Sequence, residues 1–179
     1  MVFVCGLGGG TNSGKTTLCQ QLAAHYPNCY IFNQDKYFKT LEEATLSFGD
    51  SEVNWETTQA LKMDLLTADV KKEMQNGHDV IIVEGHLVLN HPPLVELYNG
   101  TVFITLPYDL ARTRRLTRTY DPADYPGYFE NVVWPGYLLI VEEVKENEKL
   151  GKTLWLDATD PEKCFTEVEH LVIAGIFEC

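Results

Sequence analysis

The sequence predicts an α/β fold in which a five-stranded parallel sheet carries helices on both faces. Three observations lead there. Five short runs rich in β-branched and aromatic residues are spaced along the 179 residues, and the stretches between them carry apolar side chains at helical spacing. The first run is followed at once by a glycine-rich segment that opens a helical pattern. Strands this apolar are covered on both sides, and strand–helix alternation is how a chain builds a parallel sheet.

In order, Val2-Phe3-Val4-Cys5 reads as the first strand, ended by glycine, and Leu18, Leu22 and Tyr26 mark the helix after it. Cys29 to Phe32 is the second strand, running into Asn33-Gln34-Asp35. Met63, Leu66, Val70 and Met74 form the apolar stripe of a long helix stopped by Asn76-Gly77. Val80 to Val83 is too apolar for an edge strand and ends in Glu84-Gly85. Val102–Thr105 and Thr153–Leu156 complete the five, with helical stretches around 108–118, 128–149 and 161–174. The segment Thr119–Tyr128, TYDPADYPGY, has two prolines, a glycine and three tyrosines, and reads as an ordered, irregular loop. No repeat, linker or low-complexity stretch divides the chain, so one domain over 1–179 is expected.

A formal charge of −12 repels a nucleic-acid backbone, so no nucleic-acid partner is expected, and any anionic ligand must meet a local positive site. The five cysteines, at 5, 19, 29, 164 and 179, form no C-x-x-C pair, which speaks for reduced thiols in a cytoplasmic protein. The first residues lack a basic region and a long apolar run, so neither a signal peptide nor a membrane span is expected. A monomer acting on a small molecule is the expectation.

Gly9-Gly10-Thr11-Asn12-Ser13-Gly14-Lys15-Thr16, followed by Thr17, matches G-x-x-x-x-G-K-[ST] between a strand and a helix. Glycines let successive N–H groups turn into one concavity, and the helix aims its positive end there. Lys15 adds a full charge near the β- and γ-phosphates of a bound nucleotide. The Thr16 hydroxyl is then a candidate Mg²⁺ ligand. The dinucleotide pattern G-x-G-x-x-G fails, its last position falling on Thr11 or Ser13. There is no N-K-x-D for guanine, and the only D-x-x-G, at Asp124–Gly127, lies in the proline-rich loop, which argues against a GTPase.

In an open parallel sheet, ligands sit beyond the carboxyl ends of the strands. Asp35 and Glu84 both fall there. One carboxylate to take a hydroxyl proton and one to hold the metal are what phosphoryl transfer requires. Arg112, Arg114, Arg115 and Arg118 crowd seven residues of an acidic chain just before the irregular loop, and the region 112–128 reads as a lid that clamps phosphate. Trp55, Tyr120 and Trp134 lie beside polar or loop residues, where they serve either core packing or the stacking of a flat heterocycle. His25, His78, His86, His91 and His170 have no metal-binding spacing and read as surface or satisfied core residues.

With these residues in view the chain resembles the nicotinamide riboside kinases, in the nucleoside- and nucleotide-monophosphate-kinase branch of phosphate-loop proteins. The likeness runs through TNSGKTTL at 11–18, PNC at 27–29, QD at 34–35 with Phe38, EG at 84–85 and KTLWLDAT near the last strand. It is most specific over Pro107–Pro135, where PGYF is followed by VWP and then Tyr137. The resemblance implies a P-loop kinase fold and Asp35 as base for the ribose 5′-hydroxyl, with some assignments leaving that role to Glu84. It implies Thr16 and Glu84 at Mg²⁺, and Trp55 and Tyr120 sandwiching the nicotinamide ring. Glu56 and Arg115 would bind ribose hydroxyls, Asp124 would border the substrate pocket, and Phe38 and Trp134 belong with the substrate-binding residues. Arg114 and Arg118 would act from the lid beside the catalytic Lys15, and adenine would lie near Ala158–Pro161. The family usually has Asp where this chain has Glu56, a second Asp at Lys36, and often Ser at Gly8. Lys36 removes a carboxylate near the proposed base, which bears on the choice between amide and acid ribosides. The rival readings are a kinase for uridine or another nucleoside and a catalytically silent ATP-binding regulator.

Overall fold

The structure, a computed structural model, describes residues 2–48, 53–120 and 123–178; Asp121 and Pro122 of the expected lid, and Cys179, lie outside the described residues. The strands are β1 (Phe3–Gly9), β2 (Cys29–Asn33), β3 (Val80–Glu84), β4 (Gly100–Thr105) and β5 (Leu154–Asp157). The helices are α1 (Lys15–His25), α2 (Leu41–Phe48), α3 (Met63–Glu73), α4 (Pro92–Val95), α5 (Tyr108–Leu116), α6 (Trp134–Glu146) and α7 (Pro161–Glu178). All pairings are parallel in the order β2-β3-β1-β4-β5, the five-stranded sheet that the sequence predicts.

Strand alternation splits the core into two layers. Phe3, Cys5 and Leu7 of β1, with Ile82 and Ile104, meet Leu18 and Leu22 of α1 and Val168 and Val172 of α7. Val4, Ile81, Val83 and Phe103 point the other way, onto Leu66 and Val70 of α3, Leu94 of α4 and Ile140 and Val144 of α6. Both faces of the sheet are therefore covered, which is why its strands read as continuous apolar runs.

The largest difference from the expected strand boundaries is at the end of β1. β1 does not stop at Gly6 but runs on to Gly9. A Cβ at Gly6 would lie 2.5 Å from the Tyr98 ring, so the residue is glycine because a neighbour presses on the strand, not because the strand turns. The short helices α2 and α4 also have no counterpart in the periodicity. Before α6 the chain takes one π-helical turn over Phe129–Val133. Pro135 follows, with no N–H to give to a four-residue ladder.

β1 lies in the middle of the sheet, and the chain leaves it toward β3 and β2 on one side and toward β4 and β5 on the other. Its register places Leu7 beside Glu84 and Gly9 beside Ile104, and Asn33 pairs with Glu84 from the far side. The loop after β1 and the acids after β2 and β3 thus share one crevice at the switch point.

Candidate active site

The loop from Gly10 to Gly14 is shaped by its dihedral angles. Asn12 sits at φ 59° and Gly14 at φ 92°, the left-handed region, and Gly14 is the residue that caps α1. A side chain at Gly14 would be strained there, though the space around it is open. Lys15 turns its Nζ back onto the loop, donating to the carbonyls of Gly9 at 3.0 Å and Gly10 at 2.8 Å. Burial lowers the pKa of this ammonium, and Glu84 and then Asp35 pull it back up. It is the local positive site that a chain of net charge −12 needs to receive a polyphosphate.

Beside it, the Thr16 hydroxyl donates to Glu84 Oε1 at 2.8 Å, and Asn33 Nδ2 donates to the same oxygen at 2.8 Å. Burial raises the Glu84 carboxyl, opposed by the Thr16 bond and by Lys15. A hydroxyl and a carboxylate are hard oxygen donors of the kind Mg²⁺ accepts. Among the described residues no cluster of three or more His, Cys, Asp or Glu is arranged to hold a metal, so phosphate oxygens and water would have to complete the shell. Asp35 is the second residue of the 3-10 turn Gln34–Tyr37, its N–H given to Asn33 Oδ1 at 2.7 Å and its side chain exposed to the cleft.

The cleft has a volume of about 960 Å³, at the upper end of the range for small-molecule sites. Of the residues singled out from sequence, Thr11, Asn12, Gly14, Lys15, Thr16, Thr17, Asp35, Phe38, Trp55, Glu56, Glu84, Arg114, Arg115, Arg118, Tyr120 and Asp124 line it together. Gly9, Gly10 and Ser13 form the turn behind it. Trp134 is a correction. It packs on Tyr108 (5.0 Å between centroids), Tyr137 (5.0 Å) and Phe129 (6.3 Å), behind the phosphate loop instead of in the cleft, so it serves the core.

The arginines divide in the same way. Arg112 pairs with Glu130 at 2.7 Å on an exposed flank. The other three turn toward Thr11 and Asn12: Arg114 Nη1 donates to the Asn12 carbonyl at 3.0 Å and Arg118 Nη1 lies 3.5 Å from Asn12 Oδ1. Arg115 makes a fork onto Asp124, 2.7 and 3.0 Å, and gives a third bond to Thr11 Oγ1 at 3.2 Å. Its guanidinium lies 4.2 Å from the Tyr120 ring centre, and the Tyr120 hydroxyl accepts from Asn12 Nδ2 at 3.0 Å. The segment after α5 is therefore docked on the phosphate loop.

Facing this wall, Trp55 stands edge-on to Phe38 at 5.8 Å, and Phe38 stacks on His86 at 6.0 Å. Glu56 is nearly buried beneath them, and burial pushes its carboxyl up to about 7 although Arg115 and Lys15 oppose this. His86 overturns the expectation for the histidines. It lines the cleft, and its Nε2 is buried with no hydrogen-bond partner among the described residues. Its place two residues beyond Glu84, at a strand's carboxyl end, was the available signal. Tyr128, Lys39, Thr40 and Leu41 line the cleft as well without having been singled out. Lys36 is exposed and is not among the lining residues.

A family model described as an AAA domain matches residues 2–134. Nicotinamide riboside kinase 1 of Mus musculus is 35% identical over 90% of this chain and 88% of its own length. Nicotinamide riboside kinase 2 of the same organism is 31% identical over 94% of each. Among solved structures, an unliganded sugar kinase from Janibacter sp. HTCC2649 superposes with a TM-score of 0.64 at 17% identity, covering 94% of this chain and 92% of that one. That last likeness concerns the fold alone.

Proposed function

The chain belongs to the nicotinamide riboside kinase family and, through residues 2–134, to the AAA-domain family, and we propose that it moves the γ-phosphoryl group of ATP onto the ribose 5′-hydroxyl of nicotinamide riboside. The products are nicotinamide mononucleotide, for NAD synthesis, and ADP. It is an enzyme, a phosphotransferase acting on a small molecule. One observation carries the substrate: a single cleft joins the phosphate loop to a compartment where Trp55 and Tyr120 accompany Glu56 and Asp124. Nicotinamide riboside bears a fixed positive charge on its ring, and aromatic faces with nearby carboxylates suit a cation better than a neutral pyrimidine. Four free thiols, at Cys5, Cys19, Cys29 and Cys164, support a cytoplasmic setting, and a monomer with one kinase domain over 1–179 is the form proposed.

In this reading the loop amides and Lys15 grip the β- and γ-phosphates. Arg114 and Arg118 hold the docked segment over them and stabilise charge as the phosphoryl group transfers. Thr16 and Glu84 would hold Mg²⁺, which when bound neutralises phosphate charge. Asp35, whose carboxylate accepts no hydrogen bond within the described residues, takes the 5′-hydroxyl proton. Glu56 and Arg115 receive the ribose hydroxyls, and Phe38 closes the wall behind Trp55.

The deciding experiment is a substrate panel with ADP readout and product identification, comparing nicotinamide riboside, its acid form and uridine. A higher kcat/KM for uridine would overturn the substrate. ATP binding without ADP release on any riboside would leave a regulator. Trp55→Ala is expected to raise KM for the riboside about tenfold or more with a smaller effect on kcat, because a cation over an aromatic face gains roughly 0.5–2 kcal/mol besides area burial. An unchanged KM would return the ring to packing on Phe38.

Glu56 supplies a pH signature. Binding a cation and sugar hydroxyls favours the ionised carboxylate, so the riboside Kd is expected to fall about tenfold per unit as pH rises toward 7 and to level off above it. Tryptophan fluorescence without nucleotide measures this, and a flat Kd across that window would remove Glu56 from the site. The linked stability has the sign of a raised acid. The folded protein keeps a proton that the unfolded chain releases near 4.5, so this contribution is full below 4.5 and is lost as pH climbs to about 7.

A further inference from the structure

Gln34 determines which nitrogen of His86 carries the proton. Its side chain is fully buried, and its Oε1 accepts the Leu87 N–H at 2.9 Å. That fixes the amide orientation, so the group facing His86 Nδ1 at 2.9 Å is Nε2, which can only donate. Nδ1 is therefore the acceptor, and the neutral ring bears its hydrogen on Nε2.

This N–H is buried and makes no well-formed hydrogen bond among the described residues: the Trp55 backbone carbonyl is the main-chain acceptor near it, and Glu56 Oε2 lies 3.7 Å away, too far for a hydrogen bond. Orphaned buried donors are rare in native proteins and call for a reason. Phe38 stacks on the imidazole and holds its plane, while Glu56 faces the cleft with Arg115, Asp124, Lys15 and Asp35 around it. The ring is locked on one side by Gln34 and on the other is left a few tenths of an ångström short of a carboxylate.

We propose that His86 is a positioning residue for Glu56: when a riboside enters, Oε2 closes onto the Nε2–H and the other carboxylate oxygen is fixed toward a sugar hydroxyl. His86 thereby sets discrimination for the ribose diol. The inference rests on the riboside reading of the cleft and deepens it. A ring that merely filled space would need neither the Gln34 lock nor an unpaired N–H beside an acid.

His86→Phe keeps the ring and its stack on Phe38 and deletes the N–H. KM for nicotinamide riboside is expected to rise about tenfold, with kcat and the ATP KM within about twofold. The loss should vanish for whichever of the 2′- or 3′-deoxy ribosides lacks the hydroxyl facing Glu56, and His86→Gln, which restores a donor, should recover part of it. Nitrogen-15 NMR of histidine-labelled wild-type protein should find the Nε2–H tautomer before ligand and a deshielded Nε2 proton once riboside binds. A Nδ1–H tautomer, or an equal KM loss for the riboside and both deoxy analogues, overturns the proposal, as does an unchanged KM in His86→Phe. Wild-type protein that binds no riboside overturns the functional reading and this inference together, whereas normal wild-type turnover with an indifferent His86→Phe overturns this one alone.

Discussion

Asp35→Asn is expected to lower kcat about 10²–10⁴-fold while leaving the ATP KM within about twofold, as for loss of a general base. The two strand-end carboxylates differ in what they already hold. Glu84 Oε1 accepts from Thr16 and from Asn33, both at 2.8 Å, and the side chain is tied into the β2–β3 end of the sheet. Asp35 meets the cleft on a 3-10 turn, its N–H on Asn33 and its carboxylate accepting no hydrogen bond among the described residues. A base must exchange a proton with substrate at every turnover, and a carboxylate free of other donors does that more readily. Glu84→Gln should instead raise the Mg²⁺ concentration needed for half-maximal rate, because it keeps an oxygen to accept from Thr16 but removes the negative charge proposed to hold the metal. Single-turnover rates with saturating ATP and riboside distinguish the cases. Near-normal turnover in Asp35→Asn would transfer the base role to Glu84.

The parts of the molecule legible in the sequence are those written in local periods. β3 and β4 are covered on both faces by α3, α6, α1 and α7, so they could only be apolar runs, and the turn after β1 needs its own φ values, so it could only be rich in glycine. Glycine carries two messages, however. At Gly14 it marks a left-handed cap, while at Gly6 it marks the close approach of Tyr98 from 92 residues away, and only the structure separates them. Trp134 and Trp55 have similar polar surroundings in sequence; what sends one to the core is a cage drawn from residues 108, 129 and 137. Arg112 and Arg115 are three apart on α5, yet Glu130 holds one at the surface and Asp124 turns the other inward. His86 escaped for the same reason, since its importance depends on Gln34 and Glu56, far from it in the chain. Position beyond a strand's carboxyl end is a local signal, and it found Asp35 and Glu84; partnership is not, and it decides the rest.

Lys15→Met should remove turnover almost completely, with kcat/KM for ATP down about 10³-fold or more, in the range for deleting a donor aimed at transferring charge. The cleft explains the size of the effect. Asp35, Glu56, Glu84 and Asp124 all line it, and without Lys15 a tetra-anionic nucleotide would meet those four acids with only the loop amides and the docked arginines to receive it. Stability should move the other way. Burial lowers the pKa of this ammonium despite Glu84 and Asp35, which means that the folded, ligand-free protein disfavours the charge it carries. Below its folded-state pKa the lysine is therefore charged at a cost, and a methionine of similar length is expected to leave Tm equal or higher, the signature of a group kept for function. Thermal shift measures this stability and the nucleotide binding in one experiment, beside the kinetic assay. Wild-type protein should gain stability with Mg-ATP, about 2.7 kcal/mol at a hundred times Kd, whereas the variant should gain almost none from the same nucleotide. A variant that melts well below wild type without nucleotide would mean that Lys15 holds the loop together through the Gly9 and Gly10 carbonyls, and a full ATP-induced shift would mean that the amides alone bind the polyphosphate.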